Sequence, residues 1–295
     1  MTGLARGLWV VLATPYDDAG AVDDESLVRQ VRLAERVGAS GLVALGVFGE
    51  AAALSSAERA QVLRTVNAAT SLPVVAGLPA RTTAVAIEQA EQAVAGAALA
   101  AVMIQANSPS PVVVAAHLRG VHEATGVAVV LQDYPVASGV AISPAHLVEV
   151  VEDCPFVVAV KGEASPSAPA AAAVAGQVDV PVFGGLGGVG LLDELAGGAA
   201  GAMTGFSHPE GLRATLAAWE AGGFAAARAA WAPWLPLANF EGQAGIGLAL
   251  RKEILLRRGI IASARVRPPA PGVPPVLLPM IDQHLATVPQ LQEAP

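Results

Sequence analysis

Short apolar runs alternate with longer amphipathic stretches along most of this chain. The runs recur about every 20–30 residues, the length of one strand–helix unit. They are apolar throughout, as expected of strands that are buried on both faces of a parallel sheet. Eight runs fit this description: residues 8–13, 41–45, 74–76, 101–104, 127–131, 157–160, 180–183 and 201–203.

Helix signals lie in the stretches between these runs. Asp23 suits an N-cap, Ser55 and Glu58 have capping-box spacing, and Ser143 precedes Pro144 as an N-cap precedes a proline in the first turn. Eight strands that alternate with eight helices predict an α/β fold of the (β/α)8 TIM barrel type. The doubly wound alternative is weaker, because the glycine-rich turn after the first strand is missing.

The alternation stops near residue 222. The remaining pattern predicts only helices, over residues 224–237, 239–258 and 276–285, with a proline-rich loop at 268–275. We therefore predict a barrel over residues 1–221 and a C-terminal helical extension over residues 222–295 that packs on it. The alternative is a separate small domain.

Composition narrows the classes of partner and compartment. Hydrophobic residues make up 54% of the chain, and its net charge of −8 comes with no Lys/Arg run, which argues against nucleic acid. The single cysteine, Cys154, excludes an intramolecular disulfide and fits a reducing compartment. No secretory signal is visible, and the longest apolar run, 93–104, is too short to cross a bilayer. We expect a cytoplasmic protein that does not enter the membrane.

The sixth apolar run leads directly into Lys161, Gly162 and Glu163. A lysine at the end of a buried strand is unusual unless it is paired or reactive. Burial favours the neutral amine, which is the nucleophile that Schiff-base chemistry requires. Glu163 lies two residues further and shares the same strand face, so it is a candidate acid/base. The alternative is a salt bridge between the two that keeps Lys161 charged and inactive.

Barrel enzymes carry their sites at the C-terminal ends of the strands. The loops at 46–50 and 184–188 are dense in glycine, which lets backbone N–H groups approach a carboxylate, although glycines also simply make tight turns. The five histidines lie mostly on separate elements, so no metal site and no cofactor is expected.

Several of these segments together resemble one family. Thr14-Pro15, the loop from Gly46 to Gly49-Glu50, Ser143-Pro144 and Val160-Lys161 follow the order found in the dihydrodipicolinate synthase / N-acetylneuraminate lyase family. The resemblance implies a barrel with a helical C-terminal tail, assembled as a homotetramer or homodimer. It also implies a lysine, here Lys161, that forms a Schiff base with pyruvate or another small 2-oxo acid.

The chain departs from the family pattern around the expected site. Val47 and Phe48 replace two threonines, Gln132 replaces the proton-relaying tyrosine, and Ala137 replaces an arginine that holds a second carboxylate. Glutamine is neither an acid nor a base near neutral pH. Tyr134, two positions beyond Gln132, is a candidate replacement, and Asp133 and Glu50 are others.

These considerations give one set of predicted site residues. The catalytic candidates are Lys161, Glu163, Gln132 and Tyr134, and the predicted substrate-binding residues are Gly46, Val47, Phe48, Gly49, Glu50, Gly185 and Met203. The leading hypothesis is a lyase, an aldolase or dehydratase, that acts on a 2-oxo acid. The alternatives are a 4-hydroxy-tetrahydrodipicolinate synthase with a rebuilt proton relay and a non-catalytic barrel that binds a 2-oxo acid.

Overall fold

The computed structural model describes residues 3–289. Within them, eight parallel strands close into a barrel in sequence order. The first strand pairs with the eighth, with Trp9 opposite Met203, so the sheet has no free edge. The predicted TIM barrel is confirmed. Its strands are β1 Gly7–Val11, β2 Gly41–Ala44, β3 Val74–Leu78, β4 Ala101–Gln105, β5 Val129–Asp133, β6 Val157–Gly162, β7 Val182–Gly184 and β8 Gly201–Thr204.

Helices surround the barrel and continue beyond it. The capping box that the sequence predicts is present: the Ser55 hydroxyl accepts from the Glu58 backbone N–H at 3.2 Å, and the Glu58 carboxylate accepts from the Ser55 N–H at 2.8 Å. The helices are α1 Asp24–Arg36, α2 Ser56–Ala69, α3 Thr83–Gly96, α4 Pro111–Thr125, α5 Pro135–Ser138, α6 Pro144–Asp153, α7 Ser167–Ala175, α8 Leu191–Ala196, α9 Pro209–Trp231, α10 Leu235–Glu241, α11 Gly247–Arg257 and α12 Leu278–Thr287.

The barrel interior is a packed apolar core rather than a channel. Trp9 and Phe183 meet edge to face inside it, with ring centroids 6.4 Å apart, and Met203 is fully buried beside them. Gly41 allows this arrangement, since a Cβ there would lie 2.3 Å from the Trp9 ring. Because the interior is filled, space for a ligand is left at the C-terminal ends of the strands.

The C-terminal region differs from its predicted boundaries. Helix α9 crosses residue 222 and ends at Trp231, although its backbone is kinked at Gly222 and Gly223. The single helix predicted over 239–258 is wrong: α10 ends before Gly242, and α11 begins at Gly247 after Gly245 adopts a φ of +80°. That positive φ is open to glycine and interrupts a helix. Residues 1–2 and 290–295 of the predicted domain ranges lie outside the described residues.

No helix among residues 3–289 combines the length and the apolar character that crossing a membrane requires.

Candidate active site

Lys161 lies inside β6, near the C-terminal mouth of the barrel. All six residues of this strand are buried, and the Lys161 residue is only 6% exposed. In the sheet register Lys161 lies opposite Gln132 of β5 and Phe183 of β7. The predicted run ended at residue 160, but pairing of Gly162 with Asp133 and Gly184 extends the strand. The lysine is therefore held by strand pairing on both sides.

Glu163 is the carboxylate in contact with Lys161. Its Oε2 lies 3.2 Å from the Lys161 Nζ and accepts a hydrogen bond from the Gln132 Nε2 at 2.6 Å. Its Oε1 accepts from the Leu186 backbone N–H at 3.3 Å. Gly185 makes room for it, because a Cβ there would lie 2.2 Å from Oε1. The structure thus brings the predicted residues Lys161, Glu163, Gln132 and Gly185 together.

Gln132 connects the Lys161–Glu163 pair to an open cavity. The cavity has a volume of about 420 Å³, which is within the usual range for small-molecule sites. It lies over the ends of β2 to β5, and Gly46, Val47 and Glu50 contribute to its wall. Arg81, from the loop after β3, also lines it and donates hydrogen bonds to the backbone carbonyls of Ala137 and Ser138.

Asp133 and Tyr134 follow Gln132 where β5 passes into α5. Burial, together with the charge of Glu163, raises the pKa of Asp133 to about 6. Its Oδ1 accepts no hydrogen bond from any described residue. Burial and Glu163 also raise the pKa of Tyr134, while the charge of Arg251 opposes that shift. The Tyr134 hydroxyl therefore interacts electrostatically with both Glu163 and Arg251 of α11.

The loop after β2 forms a short 3-10 helix, Val47–Gly49. Glu50, which follows it, adopts a φ of +54° and turns toward the C-terminal extension. There its Oε1 accepts from the buried Lys252 Nζ, and its Oε2 accepts from the Arg267 backbone N–H at 2.8 Å. Glu50 therefore anchors the loop, and it is a weaker proton-transfer candidate than Glu163 because its ion-pair partner is Lys252 rather than Lys161.

The predicted binding residues Phe48 and Met203 occupy different depths. The Phe48 ring stacks on the guanidinium of Arg251 at 3.5 Å, at the level of the mouth. Met203 lies below, inside the apolar core of the barrel. Among the described residues no group of His, Cys, Asp or Glu side chains has the arrangement of a metal site.

Sequence reasoning missed the residues that the C-terminal extension contributes. Arg251 and Lys252 lie in the stretch Leu-Arg-Lys-Glu, which looks like an ordinary polar helix segment, yet both are buried. It also missed Glu194 of α8, a buried carboxyl that accepts from the Ser167 hydroxyl at 2.6 Å. Burial raises the pKa of Glu194 to about 7. No local signal distinguishes these residues from surface charges.

Comparisons with known proteins agree with this geometry. The model of the dihydrodipicolinate synthetase family matches residues 4–275. The chain is 30% identical over 287 residues to L-2-keto-3-deoxyarabonate dehydratase of Azospirillum brasilense. This alignment covers 92% of this chain and 90% of that protein. It is 32% identical over 284 residues to 4-hydroxy-tetrahydrodipicolinate synthase of Kineococcus radiotolerans, covering 94% and 89%.

Among solved structures, dihydrodipicolinate synthase from Rhodopseudomonas palustris superposes with a TM-score of 0.90 at 30% identity. The match covers 98% of this chain and 99% of that one.

Proposed function

Because this chain belongs to the dihydrodipicolinate synthetase family, we propose that it is a Schiff-base-forming lyase, an aldolase or dehydratase, that acts on pyruvate or another 2-oxo acid through Lys161. The observation that carries this proposal is the buried Lys161 at the barrel mouth with Glu163 at 3.2 Å. Family members are lyases, and both named relatives above act within this class.

The pair of side chains supplies the first chemical step. Glu163 takes a proton from the Lys161 ammonium, and the neutral amine attacks the ketone carbon of the 2-oxo acid. A proton then moves from the attached nitrogen to the former ketone oxygen, which gives a carbinolamine. Glu163 then returns the proton to the hydroxyl of the resulting carbinolamine, and that hydroxyl leaves as water. The product is an iminium ion, with the substrate joined to Nζ. One carboxylate in direct contact with the amine is sufficient for both transfers.

The iminium then withdraws electrons from the neighbouring carbon. A base removes a proton from C3, which converts the iminium into an enamine. In a dehydratase the enamine electrons expel a hydroxyl from C4, which takes up a proton and leaves as water. In an aldolase they attack an aldehyde instead. Glu163 is the first candidate for the base, and Tyr134 and Asp133 are the others.

Two observations favour the dehydratase or aldolase over a 4-hydroxy-tetrahydrodipicolinate synthase. Gln132 stands where the family relay has a tyrosine, and its amide donates to Glu163 rather than moving protons. Val47 and Phe48 likewise remove two hydroxyls from the loop.

Borohydride trapping tests the proposal. The protein is incubated with pyruvate, borohydride is added to reduce the iminium adduct, and the mass of the protein is measured by mass spectrometry. We expect a mass increase of one reduced pyruvate adduct, which the Lys161→Ala variant no longer shows. Lys252→Arg is the matched control, because Lys161 and Lys252 are the only lysines of the chain and the substitution keeps the cation that pairs with Glu50. Absence of any adduct with pyruvate and a panel of other 2-oxo acids would contradict the proposal.

A further inference from the structure

The C-terminal extension places an arginine inside the barrel mouth. Arg251 of α11 is only 4% exposed, and its guanidinium stacks on the Phe48 ring at 3.5 Å. Glycines at the ends of two strands make room for it: a Cβ at Gly205 would lie 2.8 Å from Nη1, and one at Gly187 would lie 3.4 Å from Nη2. The loops after β7 and β8 therefore leave room for this guanidinium, which does not line the 420 Å³ cavity over the ends of β2 to β5.

Most of the hydrogen-bonding capacity of Arg251 is unused. Its Nε donates to the Glu241 Oε2 at 2.8 Å. Glu241 is itself fixed by the Ser207 backbone N–H at 3.1 Å and by the Ser207 hydroxyl. Nη1 and Nη2 donate no hydrogen bond to any residue between 3 and 289. These terminal nitrogens therefore retain N–H donors that a ligand can use.

We propose that Arg251 binds a carboxylate of the substrate. This inference rests on the function proposed above, because that function supplies an acid as the substrate. The two terminal nitrogens of a guanidinium form a planar fork that matches a carboxylate in bidentate geometry. The Glu241 bond holds the side chain by its Nε and leaves this fork free.

The sequence change in the loop after β2 supports the same assignment. In the family that the sequence resembles, a threonine stands at the position of Phe48, so this chain lacks that hydroxyl in the loop. The phenylalanine instead supports the guanidinium from one face. A cation held by Phe48 replaces the hydrogen-bonding capacity that the loop itself no longer provides.

The carboxylate has two possible sources within a 2-oxo acid. It is either the group next to the ketone or a second carboxylate at the far end of the molecule. Pyruvate contains only the first, whereas 2-oxoglutarate contains both. Measuring the two acids side by side therefore locates the group that Arg251 binds.

The experiment measures the concentration of each acid that gives half-maximal borohydride trapping. We expect Arg251→Lys, which keeps a charge but loses the fork, to raise this concentration about ten- to a hundredfold. The extent of trapping at saturation should remain close to that of the wild type, a separation that a merely structural role would not produce. Arg257→Lys is the matched control, because Arg257 lies on the same helix and pairs with Glu253 at 2.9 Å.

Each outcome decides the inference. A weaker response to both acids assigns Arg251 to the carboxylate beside the ketone, and a weaker response to 2-oxoglutarate alone assigns it to the far carboxylate. Unchanged half-maximal concentrations for both acids in a folded Arg251→Lys variant overturn the inference. If Arg251→Lys does not fold, Phe48→Leu tests it, with a smaller rise expected. Failure of the wild type to be trapped by either acid is the separate failure of the proposed function.

Discussion

Replacing Glu163 with glutamine removes the group proposed to move protons while keeping its shape. The Glu163 Oε2 lies 3.2 Å from the Lys161 Nζ. At that separation two unit charges attract by about 5 kcal/mol for an effective dielectric constant of 20, and desolvation of both charges offsets much of this. Loss of a positioned acid/base lowers a rate by about 10²–10⁴-fold, or roughly 3–5 kcal/mol in the activation barrier.

The assay is exchange of the pyruvate methyl protons in D2O, followed by proton NMR. Exchange requires both the iminium and proton removal at C3, and it needs no knowledge of the natural substrate. We expect Glu163→Gln to slow exchange by about 10²–10⁴-fold, while borohydride still traps an adduct at high pyruvate concentration.

The matched control for this prediction is Glu194→Gln, the same change at another buried glutamate. Glu194 bonds Ser167 and makes no hydrogen bond or ion pair with Lys161. Its exchange rate should stay within about threefold of the wild type, since Glu194 is bonded to Ser167 and is not in contact with the amine that forms the iminium. If Glu163→Gln keeps exchange within about tenfold of the wild type, Glu163 is not the base and our reasoning is refuted.

Three further predictions concern stability and geometry. The pKa of Glu194 rises from 4.5 to about 7 on folding, so its contribution to stability is full at low pH and is lost as pH rises through that interval. Glu194→Gln removes this loss. Between pH 4.5 and pH 8 its free energy of unfolding in urea should therefore rise by on the order of 3 kcal/mol relative to that of the wild type. Gly185→Ala places a Cβ where the Glu163 Oε1 lies and should slow pyruvate exchange about a hundredfold. Lys252→Met leaves Glu50 without its buried cation and should cost about 3–5 kcal/mol in urea unfolding.

Each of these has its own control and contrary result. Equal pH dependence of stability in Glu194→Gln and the wild type would contradict the raised pKa. Gly162→Ala is the control for Gly185→Ala, because its Cβ would meet only Val182 at 4.0 Å; equal effects of the two changes would rule out a specific displacement of Glu163. For Lys252→Met, adding Glu50→Gln should recover part of the lost stability, and no recovery would show that the buried pair is not the cause.

The sequence by itself determined the barrel and the central lysine. Apolar runs spaced by one strand–helix unit predict eight buried strands, because a strand covered on both faces must be apolar throughout. The period of two along a strand also places Lys161 and Glu163 on one face. These features depend only on local pattern, which is why the structure contains the strands and brings the two side chains to 3.2 Å.

Only the tertiary structure decided what surrounds that pair. Closure of the barrel brings Gln132 onto Glu163, and packing of α11 brings Arg251 onto Phe48, more than 200 residues away in sequence. The same packing turns Glu50 away to Lys252. A helical Arg-Lys segment has the same local pattern whether it faces solvent or a barrel mouth. Burial of this segment depends on packing against residues far away in sequence, so the local sequence pattern does not predict it.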